Sequence, residues 1–72
     1  MIDITQAQPE LIKGTAASIP LVLYGHTETG RFLTLGYRYI DQYHNLGSCQ
    51  LINGIVTHWD YVELPKQPQV MQ

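Results

Sequence analysis

The sequence predicts a β-dominated α+β domain: a three- to four-stranded antiparallel meander with a short N-terminal helix or coil across one face. Three observations predict it. Residues 21–24, 31–40 and 55–62 are rich in branched and aromatic side chains, as strands are. Within 31–40 and 55–62 the side chains divide into two faces at a period of two. Asn53-Gly54 stands between two β-prone runs, where this pair favours a two-residue type I′ turn.

The first segment, 1–18, mixes Gln, Thr and Ala with Pro9 and Gly14. Pro9-Glu10-Leu11-Ile12-Lys13 followed by Gly14 reads as about one helical turn, with Pro and Glu at its start and Gly past its end. Such a turn is too short to hold alone. Leu11, Ile12 and Ile19 are therefore expected to pack on the sheet as its cover. Leu21-Val22-Leu23-Tyr24, bounded by Pro20 and Gly25, reads as the first strand. His26 to Gly30 has the length of a hairpin loop, with Gly30 available for positive φ.

Arg31 to Ile40 reads as the second strand. Leu33, Leu35, Tyr37 and Tyr39 fall on one face, and Phe32, Thr34, Arg38 and Ile40 on the other. Gly36 in its middle suggests a bulge or a close backbone approach. Asp41 to Ser48 reads as a polar loop. Cys49 to Ile52 and Ile55 to Val62 then form the predicted hairpin about Asn53-Gly54. In its second arm Ile55, Thr57, Trp59 and Tyr61 share one face, and Val56, His58, Asp60 and Val62 the other. Residues 19–64 thus make the β-sheet domain, and 65–72, with Pro65 and Pro68, a flexible Pro/Gln-rich tail.

Composition narrows the functions available. A chain of 72 residues and 8.2 kDa is one small domain that buries about 60% of its unfolded surface. Charged residues are 14% of it against roughly 25% in an average domain. A net charge of −2 with 44% apolar residues argues against disorder and offers no basic field for extended nucleic acid. Lone Cys49 excludes an internal disulfide or a Cys-rich zinc site. Without such staples, association is an expected source of stability. No apolar run reaches the roughly 18 to 20 residues of a membrane span. Met1-Ile2-Asp3-Ile4 carries acid where a signal peptide needs positive charge, so a cytoplasmic location is expected.

The run Val56-Thr57-His58-Trp59-Asp60-Tyr61-Val62-Glu63-Leu64-Pro65, with Pro68, resembles the end of a small domain family of phages and bacterial prophages. Ile19-Pro20-Leu21-Val22-Leu23-Tyr24, Gly30-Arg31 and Leu35-Gly36-Tyr37 resemble its first strand, turn and second strand in order and spacing. The resemblance covers roughly residues 19–68, and Thr57-His58-Trp59 is its specific stretch. It implies a small β-rich domain of phage or prophage origin. It also implies, in the host cytoplasm, an accessory role in host takeover or anti-defence. No chemistry is established for the family.

Side chains able to carry chemistry are few. His26, His44 and His58 with Cys49, Asp41 and Asp60 match zinc ligands by type, yet each histidine comes from a different segment, and neither metal nor cofactor is expected. Cys49 with His44 or His58 and Asp60 matches a nucleophilic set by type alone. The bland alternative makes Cys49 a small buried hydrophobe, and no catalytic residue is assigned. Trp59 is expected to anchor the core. His58 either hydrogen-bonds across the sheet or forms with Asp60 a polar patch for a partner.

Five tyrosines in so small a chain suit a binding surface, where aromatic side chains dominate. The candidate partner-binding residues are Tyr37, Arg38, Tyr39, Tyr43, His58 and Asp60. The function expected is non-catalytic binding of a host or bacterial protein, with homo-oligomerisation. The alternatives are a sponge for a nucleotide messenger, with Arg38 the first phosphate candidate, and a metal- or thiol-dependent enzyme. The charges between Ile19 and Ile40 and between Cys49 and Val62 are Glu28, Arg31, Arg38 and Asp60 alone. The sheet is accordingly where a second subunit or partner is expected.

Overall fold

A computed structural model describes residues 1–62. It contains five strands, β1 (Ile2–Asp3), β2 (Leu21–Thr27), β3 (Gly30–Tyr39), β4 (Gln42–Asn45) and β5 (Ile55–Tyr61). They form one antiparallel sheet in the order β1-β5-β2-β3-β4. The domain is β-dominated, as predicted. The predicted stretch of tail, 65–72, lies outside the described residues.

Only β2, β3 and β4 follow one another as a meander. The chain then returns to the far side of β2, where β5 pairs, and β1 lies outside β5. The segment 1–18 therefore supplies an edge strand as well as a cover. That cover is coil: no helix forms over Pro9–Lys13 or elsewhere among the described residues.

Turn chemistry accounts for several departures from expectation. Thr27 pairs directly with Gly30, so the β2–β3 loop is only Glu28-Thr29 rather than the whole of His26–Gly30. Thr27 Oγ1 accepts the Thr29 N–H at 3.2 Å, and Gly30 does not adopt positive φ. Residues 42–45, expected in a loop, pair with 36–39 as β4. The turn between them places Ile40 at a φ of 58°, an uncommon conformation for a β-branched residue.

Asn53-Gly54 does not close a hairpin. Residues 50–52 instead run along the outer edge of β4, where Asn45 N–H donates to the Gln50 carbonyl at 2.8 Å and Ile52 N–H to the Tyr43 carbonyl at 3.0 Å. From there the chain passes over Phe32 at Gly54 to reach β5. Competition decides this: β2 offers β5 a seven-residue partner, whereas 49–52 is a short arm.

The core lies on one face of the sheet. Leu21, Leu23, Val56 and Trp59 are buried, with Ile2, Ile4, Phe32, Tyr43 and Ile52 packed around them. Trp59 is the expected anchor, 3% exposed. Val56 joins it because β5 shifts register against β2 between Tyr24 and Gly25. This bulge at Thr57 interrupts the expected alternation, turning Val56 inward and Ile55 outward beside His26.

Ile12 and Ile19 do not cover the core, each being 45% exposed, and Leu11 is only partly buried. Pro9 is the fully buried residue of the N-terminal crossing. Gly36 marks a close approach, because a methyl group there would meet the His44 carbonyl and, at 2.5 Å, Leu23 Cδ1. Buried Ser18 ties the crossing to β3: its N–H donates to the Arg38 carbonyl and its Oγ accepts the Arg38 N–H, both at 2.8 Å.

Candidate functional site

Side chains alternate across a strand, so the residues between the core positions form the opposite face. Cross-strand register assembles them into rows. Asp60 of β5 faces Val22 of β2 and then Leu35 of β3, and Asp3, His58, Tyr24 and Leu33 form the next row. Ile55, His26 and Arg31 form a third. Tyr37 faces His44, and Tyr39 faces Gln42, toward the β4 side. Residues 1–18 and 52–54 pass over the other face, whereas the loop after β4 touches this one at its margin, where Cys49 neighbours Tyr37. Leu33 is consequently 66% exposed and Leu35 47%.

Aromatic rings pack along the face. His44 stacks on Tyr37 with centroids 5.5 Å apart and meets Tyr39 edge-on at 5.7 Å. Tyr24 meets His58 edge-on at 5.9 Å. Such contacts fix the rings before any partner arrives, which lowers the ordering cost of binding. Partial burial first, and the neighbouring Cys49 thiol second, hold the Tyr37 phenol above its ordinary pKa.

The polar margin lies on the β1–β5 side. His58 Nδ1 is 2.9 Å from Thr57 Oγ1, and its Nε2 is 4.0 Å from Asp3 Oδ2. The hydroxyl and N–H of Thr5 donate to Asp3 Oδ1 at 2.7 and 2.8 Å. These two bonds, with a smaller contribution from His58, hold the Asp3 carboxyl below its ordinary pKa. Asp60 projects from the same margin.

The structure thus brings Tyr37, Tyr39, His58 and Asp60 onto one open face and turns Arg38 and Tyr43 to the other. Arg38 donates from Nη1 to the Pro9 carbonyl at 2.6 Å and from Nε to the Ile40 carbonyl at 2.7 Å. Its guanidinium serves to hold the N-terminal crossing. The Tyr43 hydroxyl is buried with no hydrogen-bond partner among the described residues. Burial raises the pKa of that phenol, and Arg38 opposes the shift.

Val22, Tyr24, Arg31, Leu33, Leu35 and Ile55 also line the open face and were absent from the candidate set. The alternation of 31–39 already grouped Leu33 and Leu35 with Tyr37 and Tyr39. Which group faces solvent depends on where 1–18 and 52–54 cross, and the strand pattern does not carry that.

Cys49 is exposed rather than buried, at a φ of 59°. The neighbouring His44 Nδ1 lies 3.3 Å from the Cys49 carbonyl oxygen, a contact to backbone rather than thiol. Among the described residues no three His, Cys, Asp or Glu side chains converge as metal ligands, and no helix is long and apolar enough to cross a membrane. No protein-family model matches this chain, and neither the curated proteins nor the solved structures contain a match to it.

Proposed function

We propose that this chain acts by non-catalytic protein binding, and that the open face of its sheet is the surface at which a second subunit or a host partner meets it. One observation carries the reading: Val22, Tyr24, Leu33, Leu35, Tyr37 and Tyr39 stand together on the face opposite the core, with the Leu33 and Leu35 side chains in solvent and the rings already packed. Contiguous exposed apolar surface rimmed by polar groups is a mark of interaction sites. Tyrosine at such a site combines large contact area with a polar tip.

The resemblance to a phage and prophage family supports an accessory role toward a bacterial host protein, in host takeover or anti-defence within the host cytoplasm. A nucleotide-messenger sponge receives less support, because Arg38 already gives its donors to the Pro9 and Ile40 carbonyls. A thiol enzyme likewise lacks a histidine nitrogen aimed at the Cys49 sulfur among the described contacts.

Retention of host proteins by immobilised wild-type chain, by the double variant Leu33→Asp/Leu35→Asp and by Ile12→Asp on the other side of the molecule tests this reading. A protein kept by the wild type and Ile12→Asp but lost by the face variant supports it, provided the face variant keeps its circular dichroism. Equal retention by all three, or nothing that the face variant loses, overturns it.

A further inference from the structure

The edges and the charges of the open face select its occupant. Strand addition is blocked along β4 by residues 50–52, which already take its outer hydrogen bonds. At the other edge β1 is two residues long. Short or covered edges prevent edge-to-edge pairing, so a partner meets this sheet through its face.

The charge pattern of that face is complementary to itself. Asp60 stands opposite Val22 on the β5 side of β2, and Arg31 stands opposite His26 on the β3 side. Tyr24 lies midway between Val22 and His26, so it is the centre of the diagonal joining Asp60 to Arg31. A two-fold axis in the interface plane, passing through Tyr24 across this diagonal, places Asp60 of each copy over Arg31 of the other. The same operation brings Leu33 of one copy toward Val22 of its mate, apolar on apolar. A two-fold interface is isologous, so each pair occurs twice.

Both charges are available for this. Among the described residues Arg31 has no carboxylate within ion-pair distance, and the Asp60 carboxylate accepts the Tyr61 N–H at 2.8 Å and lies 4.0 Å from the Met1 amino group. Sheets stacked face to face pack about 10 Å apart, a gap that an arginine and an aspartate span together. The pressure to cover the face comes from the core, where Leu21, Leu23, Val56 and Trp59, with Pro9 of the N-terminal crossing, are the buried apolar side chains among the described residues. A core that small rarely stabilises a chain of this length alone.

We propose that a second copy of this chain covers the open face, forming a two-fold sandwich centred on Tyr24 with reciprocal Asp60–Arg31 ion pairs. This rests on the open face being the binding surface. A host protein that takes the same face then competes with the second copy, so partner binding and dimer dissociation are linked.

Light scattering and sedimentation of Asp60→Arg and Arg31→Asp, alone and mixed, test the proposal. In either variant alone both ion pairs become like-charge contacts, and the dissociation constant rises on the order of 100-fold. Mixed in equal amounts, the two variants restore both pairs and form a heterodimer. That recovery also shows that each variant is folded. A monomeric wild type at micromolar concentration, dimers that persist in either variant alone, or a mixture that fails to associate overturns it. None of these outcomes decides the host-protein retention comparison, so the dimer and the binding face fail separately.

Discussion

The indole N–H of Trp59 donates to the carbonyl oxygen of Ala7 at 2.8 Å, linking residues 52 positions apart. The bond joins the largest core side chain to the N-terminal crossing that covers it. Trp59→Phe keeps most of the apolar volume and loses this bond. It is expected to cost about 1 to 2 kcal/mol. Trp59→Ala also leaves a cavity, raising the loss to about 3 to 5 kcal/mol, enough to unfold a marginal domain. Urea titration followed by far-ultraviolet circular dichroism measures both.

Gly36 separates β4 from Leu23. A Cβ at this position meets the His44 carbonyl and the Leu23 side chain, so Gly36→Ala forces the strands apart and is expected to cost about 1 to 3 kcal/mol. Gly30 has no atom within 4 Å of such a Cβ and ordinary φ. Gly30→Ala is therefore neutral or stabilising by up to about 1 kcal/mol, and thermal melts of the two variants should move in different directions or by clearly different amounts.

Ile40 turns the chain from β3 into β4 at a φ of 58°, and its side chain is largely in solvent. The left-handed conformation costs an L-residue about 1 to 2 kcal/mol, and little packing offsets it. Ile40→Gly removes the steric cost but adds backbone entropy to the unfolded chain. A net gain of about 0.5 to 1 kcal/mol is expected in urea titration. A loss of stability would show that the isoleucine side chain contributes contacts that outweigh the strain.

Tyr43 buries a hydroxyl without a partner among the described residues, and the same burial raises its phenol pKa. Tyr43→Phe removes the unsatisfied group and keeps the ring, so a gain of about 1 kcal/mol is expected. The sign of the pH effect follows from the raised folded pKa. The contribution of a neutral Tyr43 is complete below the unfolded phenol pKa and lost as pH rises through the folded one. Alkaline unfolding should therefore occur at higher pH in Tyr43→Phe than in the wild type.

Asp3 gives the opposite case. Its folded pKa is depressed, chiefly by the Thr5 hydroxyl and then by the Thr5 N–H. Its contribution is present above the unfolded carboxylate pKa and disappears as pH falls through the folded value. Thr5→Ala removes the larger cause, and nuclear magnetic resonance titration of Asp3 should show its pKa moving up toward the ordinary range. An unchanged value would place the cause elsewhere.

Strand positions with strong local character were legible from the residues alone. Leu21 to Tyr24 and Arg31 to Tyr39 carry their β-propensity in branched and aromatic side chains, and the face shared by Leu33, Leu35, Tyr37 and Tyr39 follows from a period of two. Gln42 to Asn45 does not read as a strand because Tyr43 alone among its residues favours one. They become one when the Ile40-Asp41 turn folds them back onto β3. Asn53-Gly54 misled for the converse reason, since a good local turn lost to a longer partner strand in β2. At Thr57 a single extra residue exchanged the faces of Ile55 and Val56, and alternation gives no warning of a bulge.

The candidate site divides along the same line. Of the residues singled out by type and spacing, Tyr37, Tyr39, His58 and Asp60 share the open face, while Arg38 and Tyr43 lie on the core side. The sequence by itself determined the β class, Trp59 as anchor and a sheet poor in charge, because these depend on local preference and transfer of apolar side chains from water. Only the tertiary structure decided which face of the sheet is covered. That depends on where 1–18 and 52–54 cross and on the pairing of β5 with β2, contacts between residues far apart in the chain whose energies no local pattern contains.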